Sequence, residues 1–161
     1  IQHPERVRKV VVVGSPIHGS SLAFPLKLAG YRRIAWLLFT FFPAFRAVMR
    51  VASPFICGDP RFPEMMDRDL SKTTLESFLV SIATLRRTDL RPKLNQIRVP
   101  VMGMYGDHDN IVHPRQWQPL KAGVAHAQIE RYPRAGHFIM LDDPQNFQRS
   151  LKGFLDTTVE K

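Results

Sequence analysis

The chain has 161 residues, 44% of them hydrophobic and 23% charged, which is ordinary globular composition and argues against a disordered tail. Its single cysteine, Cys57, excludes an internal disulfide framework and a Cys/His zinc site. The formal net charge is +9. The arginines come in ones and twos rather than in a basic block alternating with aromatics, so the expected charge pattern is a solvated surface and not a nucleic-acid interface.

The first residue is Ile1 rather than Met. A removed leader, or an earlier part of a longer chain, is left open by that start, and the working expectation is a cytoplasmic protein. The longest apolar run, Ile34 to Phe45, is interrupted by Thr40 and Pro43. It is shorter than the ~18 residues a bilayer requires.

In chain order, Val10 to Val13 reads as a strand buried on both faces, stopped by Gly14-Ser15-Pro16. The insert from Gly19 to about Gln96 reads as mostly helical. Leu22 to Val51 is apolar and broken near Pro43. Ser53 to Asp69, rich in Pro, Gly and Asp, reads as loop or short turns. Thr73-Thr-Leu-Glu76 has the spacing of a capping box and precedes Phe78, Leu79, Ile82 and Leu85 at helical intervals. Val99 to Tyr105 and Ala127 to Tyr132 are two further strands. Arg115 to Val124 is the helix between them. Asp143-Pro144 opens a final helix with Phe147, Leu151, Phe154 and Leu155 as its apolar stripe. This order predicts an α/β protein with a parallel sheet and right-handed crossovers.

Parallel sheets carry their reactive groups in loops at the carboxyl ends of strands. The loop after the second strand contains Asp107, His108 and Asp109, and the loop after the third contains His137. An aspartate that accepts the Nδ1 proton of a histidine fixes its tautomer and leaves the other nitrogen to serve as a base. A metal at His108 and His113 is not expected, because no third ligand has fitting spacing.

The run Gly106-x-x-Asp109-x-Ile111-Val112, then helix, strand, Gly136-His137, Asp-x-Pro and a terminal amphipathic helix, resembles the second half of an α/β-hydrolase. His3-Pro-Glu-Arg-Val-Arg-Lys-Val-Val-Val-Val-Gly14 resembles the family's entry into its sixth strand. The resemblance implies a partial α/β-hydrolase fold with three parallel strands and flanking helices. Residues 1–18 and 97–161 would belong to the core and 19–96 to a helical cap, or lid. It further implies Asp109 as the acid and His137 as the base of a catalytic triad. The family's nucleophile motif, Gly-x-Ser-x-Gly, and its oxyanion-hole loop are not in this sequence and would precede Ile1. Ser15 and Ser21 do not replace the nucleophile. Ser21 stands eight residues past Val13, and Ser15 is followed by Pro16, which has no N–H for an oxyanion hole.

Asp109 is preferred to Asp107 on the family's spacing. Asp142 and Asp143 read as a helix cap, and Cys57 as a small buried residue of the cap. Trp36, Leu37, Leu38, Phe39, Phe41, Phe42 and Phe45 are expected to pack the cap on the sheet. Trp36, Phe39 and Phe42 among them are expected to bind substrate. Membrane contact is not favoured, because the run is apolar nearly all round and a surface-bound helix needs a polar face.

The expected activity is hydrolysis of an ester-like bond in a small hydrophobic substrate, with no cofactor or metal and with no nucleic-acid partner. The chain on its own is expected to be inactive. Its first strand is expected to present an unpaired apolar edge that makes the isolated chain poorly soluble. The alternative is a non-catalytic binding protein or truncated product on the same fold.

Overall fold

Three parallel strands lie in the order β1–β2–β3 in the computed structural model, which describes residues 3–157. They are β1 (Val10–Val13), β2 (Val101–Gly106) and β3 (Gln128–Tyr132). Val10 aligns with Val101 and Val13 with Met104, while Met102 aligns with Gln128 and Gly106 with Tyr132. β2 is central and buried along its whole length, as its apolar sequence requires.

Alternation along β2 divides the core in two. Val101 and Tyr105 face Leu120, Val124, Leu94 and Ile17, joined by Val10, Val12 and Ile129 of the outer strands. Met102 and Met104 face the other way, onto Tyr132, Ile139 and Phe154, with Val11 and Val13 beside them. Helix α6 (Trp117–Gly123) covers the first face. The short α7 (Ile139–Asp142) and the terminal α8 (Pro144–Asp156) cover the second.

β1 differs from its expected environment. Its four valines are each half-buried, because β1 pairs on one side only, with β2, among the described residues. α8 starts as the sequence suggests, with the Asp143 side chain accepting from Asn146 N–H and Pro144 in the first turn. Phe147, Leu151 and Phe154 form its buried stripe, whereas Leu155 is about half exposed and lies outside it. Lys9 Nζ donates to the carbonyls of Phe154, Leu155 and Thr157, capping the end of α8 where the last carbonyls lack helical partners.

Between β1 and β2 lie five helices: α1 (Phe24–Ala29), α2 (Arg32–Thr40), α3 (Phe42–Ala52), α4 (Phe62–Ser71) and α5 (Leu75–Arg87). The break near Pro43 falls at Phe41, and Pro43 sits in the first turn of α3. The capping box of α5 is Thr74 with Ser77, one residue later than Thr73 with Glu76. The Ser53–Asp69 stretch is not all loop. Pro63 opens α4 instead of breaking it, since a first-turn proline lacks only an N–H that would be unpaired anyway.

The insert leaves and returns at one place. Gly19 N–H donates to Thr88 O (2.8 Å), Leu90 N–H donates to Ile17 O (2.9 Å), and His18 pairs antiparallel with Asp89. The aromatic run does not pack on the sheet as one surface. Phe39 stacks on Phe42 at 4.7 Å and leans on Phe78 of α5 at 5.6 Å, so these rings join α2, α3 and α5 to one another. Trp36, Leu37 and Phe41 are more than half exposed. No single described helix is long and apolar enough to cross a membrane; the axes of α2 and the helical stretch Phe42–Phe55 are bent 94° apart.

Leu120 is 1% exposed and stands at the centre of the first core. Leu120→Ala is expected to destabilise the chain by about 2–5 kcal/mol. Urea unfolding reads this as a lower midpoint with an unchanged slope.

Candidate active site

Two loops meet at the carboxyl end of the sheet because the backbone is allowed to approach closely there. A side chain at Gly106, the last residue of β2, would collide with the carbonyl oxygens of Ala135 and Gly136. Glycine is the only residue that lets those carbonyls in. Asp107 N–H then donates to Tyr132 O (3.0 Å) and His108 N–H to Ala135 O (3.1 Å), stitching the loop after β2 to the loop after β3.

That stitching brings Asp109 to His137. His137 Nδ1 and Asp109 Oδ2 are 2.8 Å apart. A carboxylate only accepts, so Nδ1 carries the proton and Nε2 is the nitrogen left free. The Asp109 side chain is 2% exposed and that of His137 24%. Asp109 Oδ1 accepts from the N–H groups of Ile111 and Val112, each at 2.8 Å. The buried carboxylate therefore has three donors, which is what keeps an ionised group tolerable away from water. Gly14, just past β1, has φ +52° and lies against the His137 ring, with room for a side chain only at 3.3 Å from Nδ1 and Cε1. All three strand ends thus converge on the imidazole.

The competing candidates are occupied elsewhere. Asp107 is paired with Arg131 through both oxygens, at 3.0 and 2.8 Å. His113 caps the turn before α6 by accepting from Arg115 N–H. The Ser15 hydroxyl donates to Val13 O and the Ser21 hydroxyl to His18 O. No group of three His, Cys, Asp or Glu side chains gathers as a metal set among the described residues. Phe39 and Phe42 lie in the aromatic stack of the insert, and Trp36 lines an outer groove with Arg32, Leu75 and Leu79. A cavity of about 520 Å³ borders Asp109 and is lined by His18, Lys27, Ile111 and Gln116, not by those three aromatics.

Two residues gain roles that sequence reading missed. Gln116 is buried, and its Oε1 accepts from Ile17 N–H (2.7 Å), holding the loop after β1. Asp142 is no helix cap, because Asp143 alone caps α8. Asp142 Oδ2 accepts from Gly136 N–H (2.8 Å), and Oδ1 accepts from Gly58 N–H (3.0 Å) and faces the Cys57 thiol (3.3 Å). The signal was the doubled aspartate, where one suffices to start a helix.

A sheet of parallel strands whose loops present a buried Asp–His pair beneath a helical insert defines an α/β hydrolase. The profile of one family, described as serine aminopeptidase, S33, matches residues 1–144, and the chain belongs to that family. A 2-hydroxy-6-oxononadienedioate/2-hydroxy-6-oxononatrienedioate hydrolase of Cupriavidus pinatubonensis is 26% identical over 163 residues, which cover 96% of this chain and 56% of the relative. Among solved structures, a hydrolase from Pseudomonas aeruginosa matches with a TM-score of 0.74 at 20% identity, covering 96% of this chain and 57% of the other. The enol-lactonase from Burkholderia xenovorans LB400 matches with a TM-score of 0.70 at 20% identity, covering 97% and 59%. The chain thus spans a little over half the length of the relatives it matches.

Cys57 is buried as the sequence suggests, and burial pushes its thiol up to about 11. It is therefore expected to resist iodoacetamide at pH 8 in the native protein and to react fully once unfolded in urea, as read by mass spectrometry. Asp59 behaves oppositely. Its hydrogen bonds from Arg61 hold the carboxyl down at about 2. A depressed carboxylate stabilises the fold above its unfolded value of about 4, and that contribution is lost as pH falls through about 2. Carboxyl-carbon NMR is expected to show Asp59 titrating in that lower range.

Proposed function

We propose that this chain forms the cap and the C-terminal catalytic part of a serine-type hydrolase acting on an ester-like bond of a small hydrophobic molecule. The observation that carries the reading is the 2.8 Å contact between buried Asp109 and His137 Nδ1. The nucleophilic serine and the oxyanion hole are assigned to the part of the relatives' length that this chain does not span. Residues 19–96 form the cap, and 1–18 with 97–161 belong to the core. Residues 1–2 and 158–161 lie outside the described residues.

In this reading, His137 Nε2 takes the proton of the serine hydroxyl as its oxygen attacks the ester carbonyl. Asp109 holds the ring and stabilises the imidazolium. The same proton is delivered to the departing alkoxide, leaving an acyl-enzyme. A water then loses its proton to Nε2, attacks the acyl carbon, and the serine oxygen leaves and recovers a proton. The name of one relative, a hydrolase of 2-hydroxy-6-oxononadienedioate and 2-hydroxy-6-oxononatrienedioate, supports a small organic molecule as substrate. Without the nucleophile, this chain alone is inactive.

The upstream gene sequence tests the reading directly. A Gly-x-Ser-x-Gly after a valine-rich strand is expected, and a stop codon or another residue at that place overturns it. In the longer protein, His137→Ala is expected to abolish turnover of a nitrophenyl ester. Asp109→Asn is expected to lower kcat by about 10⁴-fold, because the amide favours the wrong tautomer. Retained activity in the His137 variant contradicts the assignment.

A further inference from the structure

The backbone on either side of the Asp–His pair is tied to one short segment of the insert, residues 55–62. On the histidine side, Gly136 N–H donates to Asp142 Oδ2. The other oxygen of the same carboxylate receives Gly58 N–H and faces the Cys57 thiol, which burial keeps protonated and able to donate. Phe138, which follows His137, packs its ring on Phe62 at 4.6 Å, and Phe62 is buried. On the aspartate side, Asn110 Nδ2 donates to Phe55 O at 2.5 Å. Asp142 is the centre of this arrangement. Its single carboxylate holds both a backbone N–H next to His137 and a backbone N–H of the insert.

We propose that Asp142 is a positioning residue for the hydrolytic reaction: by clamping Gly136 to the Cys57-Gly58 turn, it fixes the direction in which the His137 ring projects toward its substrate. This rests on the functional reading above. Both oxygens are used by donors, so neither an apolar nor an amide side chain can replace the carboxylate. Alanine leaves Gly136 N–H, next to His137 in the chain, and Gly58 N–H of the insert without their acceptor. Asparagine turns one oxygen into an N–H₂ group that faces a donor. The His137 backbone is then free to shift, and misplacement of a base by about 1 Å costs about 100-fold in rate even when the altered residue touches no substrate. Asp142 does not meet the reacting atoms, so its loss is felt in turnover more than in substrate affinity.

The experiment uses the longer, active protein and reads two quantities for each variant. The first is kcat and KM for a nitrophenyl ester. The second is the far-downfield proton resonance of the His137 Nδ1–H held by Asp109. Asp142→Ala is expected to lower kcat by about 10–100-fold, with KM changed less than about threefold. The resonance is expected to broaden or move upfield. Asp142→Glu, which keeps a carboxylate, is expected to recover part of both. Asp142→Asn has the same shape as the native side chain and stands in if the alanine variant does not fold. Wild-type kcat in the folded variants overturns the proposal, and so does a fall in kcat with an unmoved resonance. Activity retained in His137→Ala would instead sink the hydrolase reading, and the resonance would still decide whether Asp142 orients the ring.

Discussion

The site depends on a missing side chain. Where β2 ends at Gly106, the carbonyls of Ala135 and Gly136 occupy the volume that a Cβ would need. Everything around the imidazole follows from that approach. The loop after β3 lies flat against the loop after β2, two backbone hydrogen bonds join them, and His137 arrives within hydrogen-bond reach of Asp109. Any larger residue at Gly106 would push the two loops apart by more than a hydrogen bond can span.

The buried charge is the second constraint. Asp109 is almost wholly removed from water, and a carboxylate in that position without hydrogen-bond donors would carry the full cost of its lost hydration. Three donors prevent this, and two of them are backbone N–H groups of Ile111 and Val112, at the start of the chain's path toward α6. The turn that follows Asp109 is thus held by the carboxylate that it in turn supports. Asp107, two residues earlier, is engaged by Arg131. Two aspartates so close in sequence are kept in separate roles by the partners that β3 and its loop present to each.

The insert is tied to this end of the sheet at its ends and near its middle. Antiparallel contacts at 17–19 and 88–90 close its base, while Asn110, Asp142 and Phe138 meet the segment around Cys57. Its own cohesion comes from stacked phenylalanines and from the Arg46–Asp67 pair between α3 and α4, with bonds of 2.8 and 2.7 Å. The exposed Trp36, Leu37 and Phe41 follow from the sharp bend between α2 and α3, which turns part of an all-round apolar run away from its neighbours.

Much was legible in the residues themselves. Continuous apolar runs marked β1 and β2, because a strand covered on both faces, or nearly so, has no use for alternation, whereas β3 carries Gln128, Glu130 and Arg131 at the sheet's edge. Asp143-Pro144 marked the start of α8 because capping and proline chemistry act within one turn. The resemblance of Gly106, Asp109, Gly136 and His137 to the α/β-hydrolase pattern singled out the pair that meets. Sequence did not disclose the partners of the duplicated aspartates, since Asp142 binds groups 84 and 6 residues away and neither separation leaves a local pattern. Nor did it disclose that the valines of β1 would be only half covered, or which phenylalanines would face one another. Local chemistry determines caps, turns and strands, because its range is a few residues. Burial, ion-pair choice and the junction of insert with strand ends were decided by the tertiary structure, because each requires two distant stretches of chain to occupy the same few ångströms.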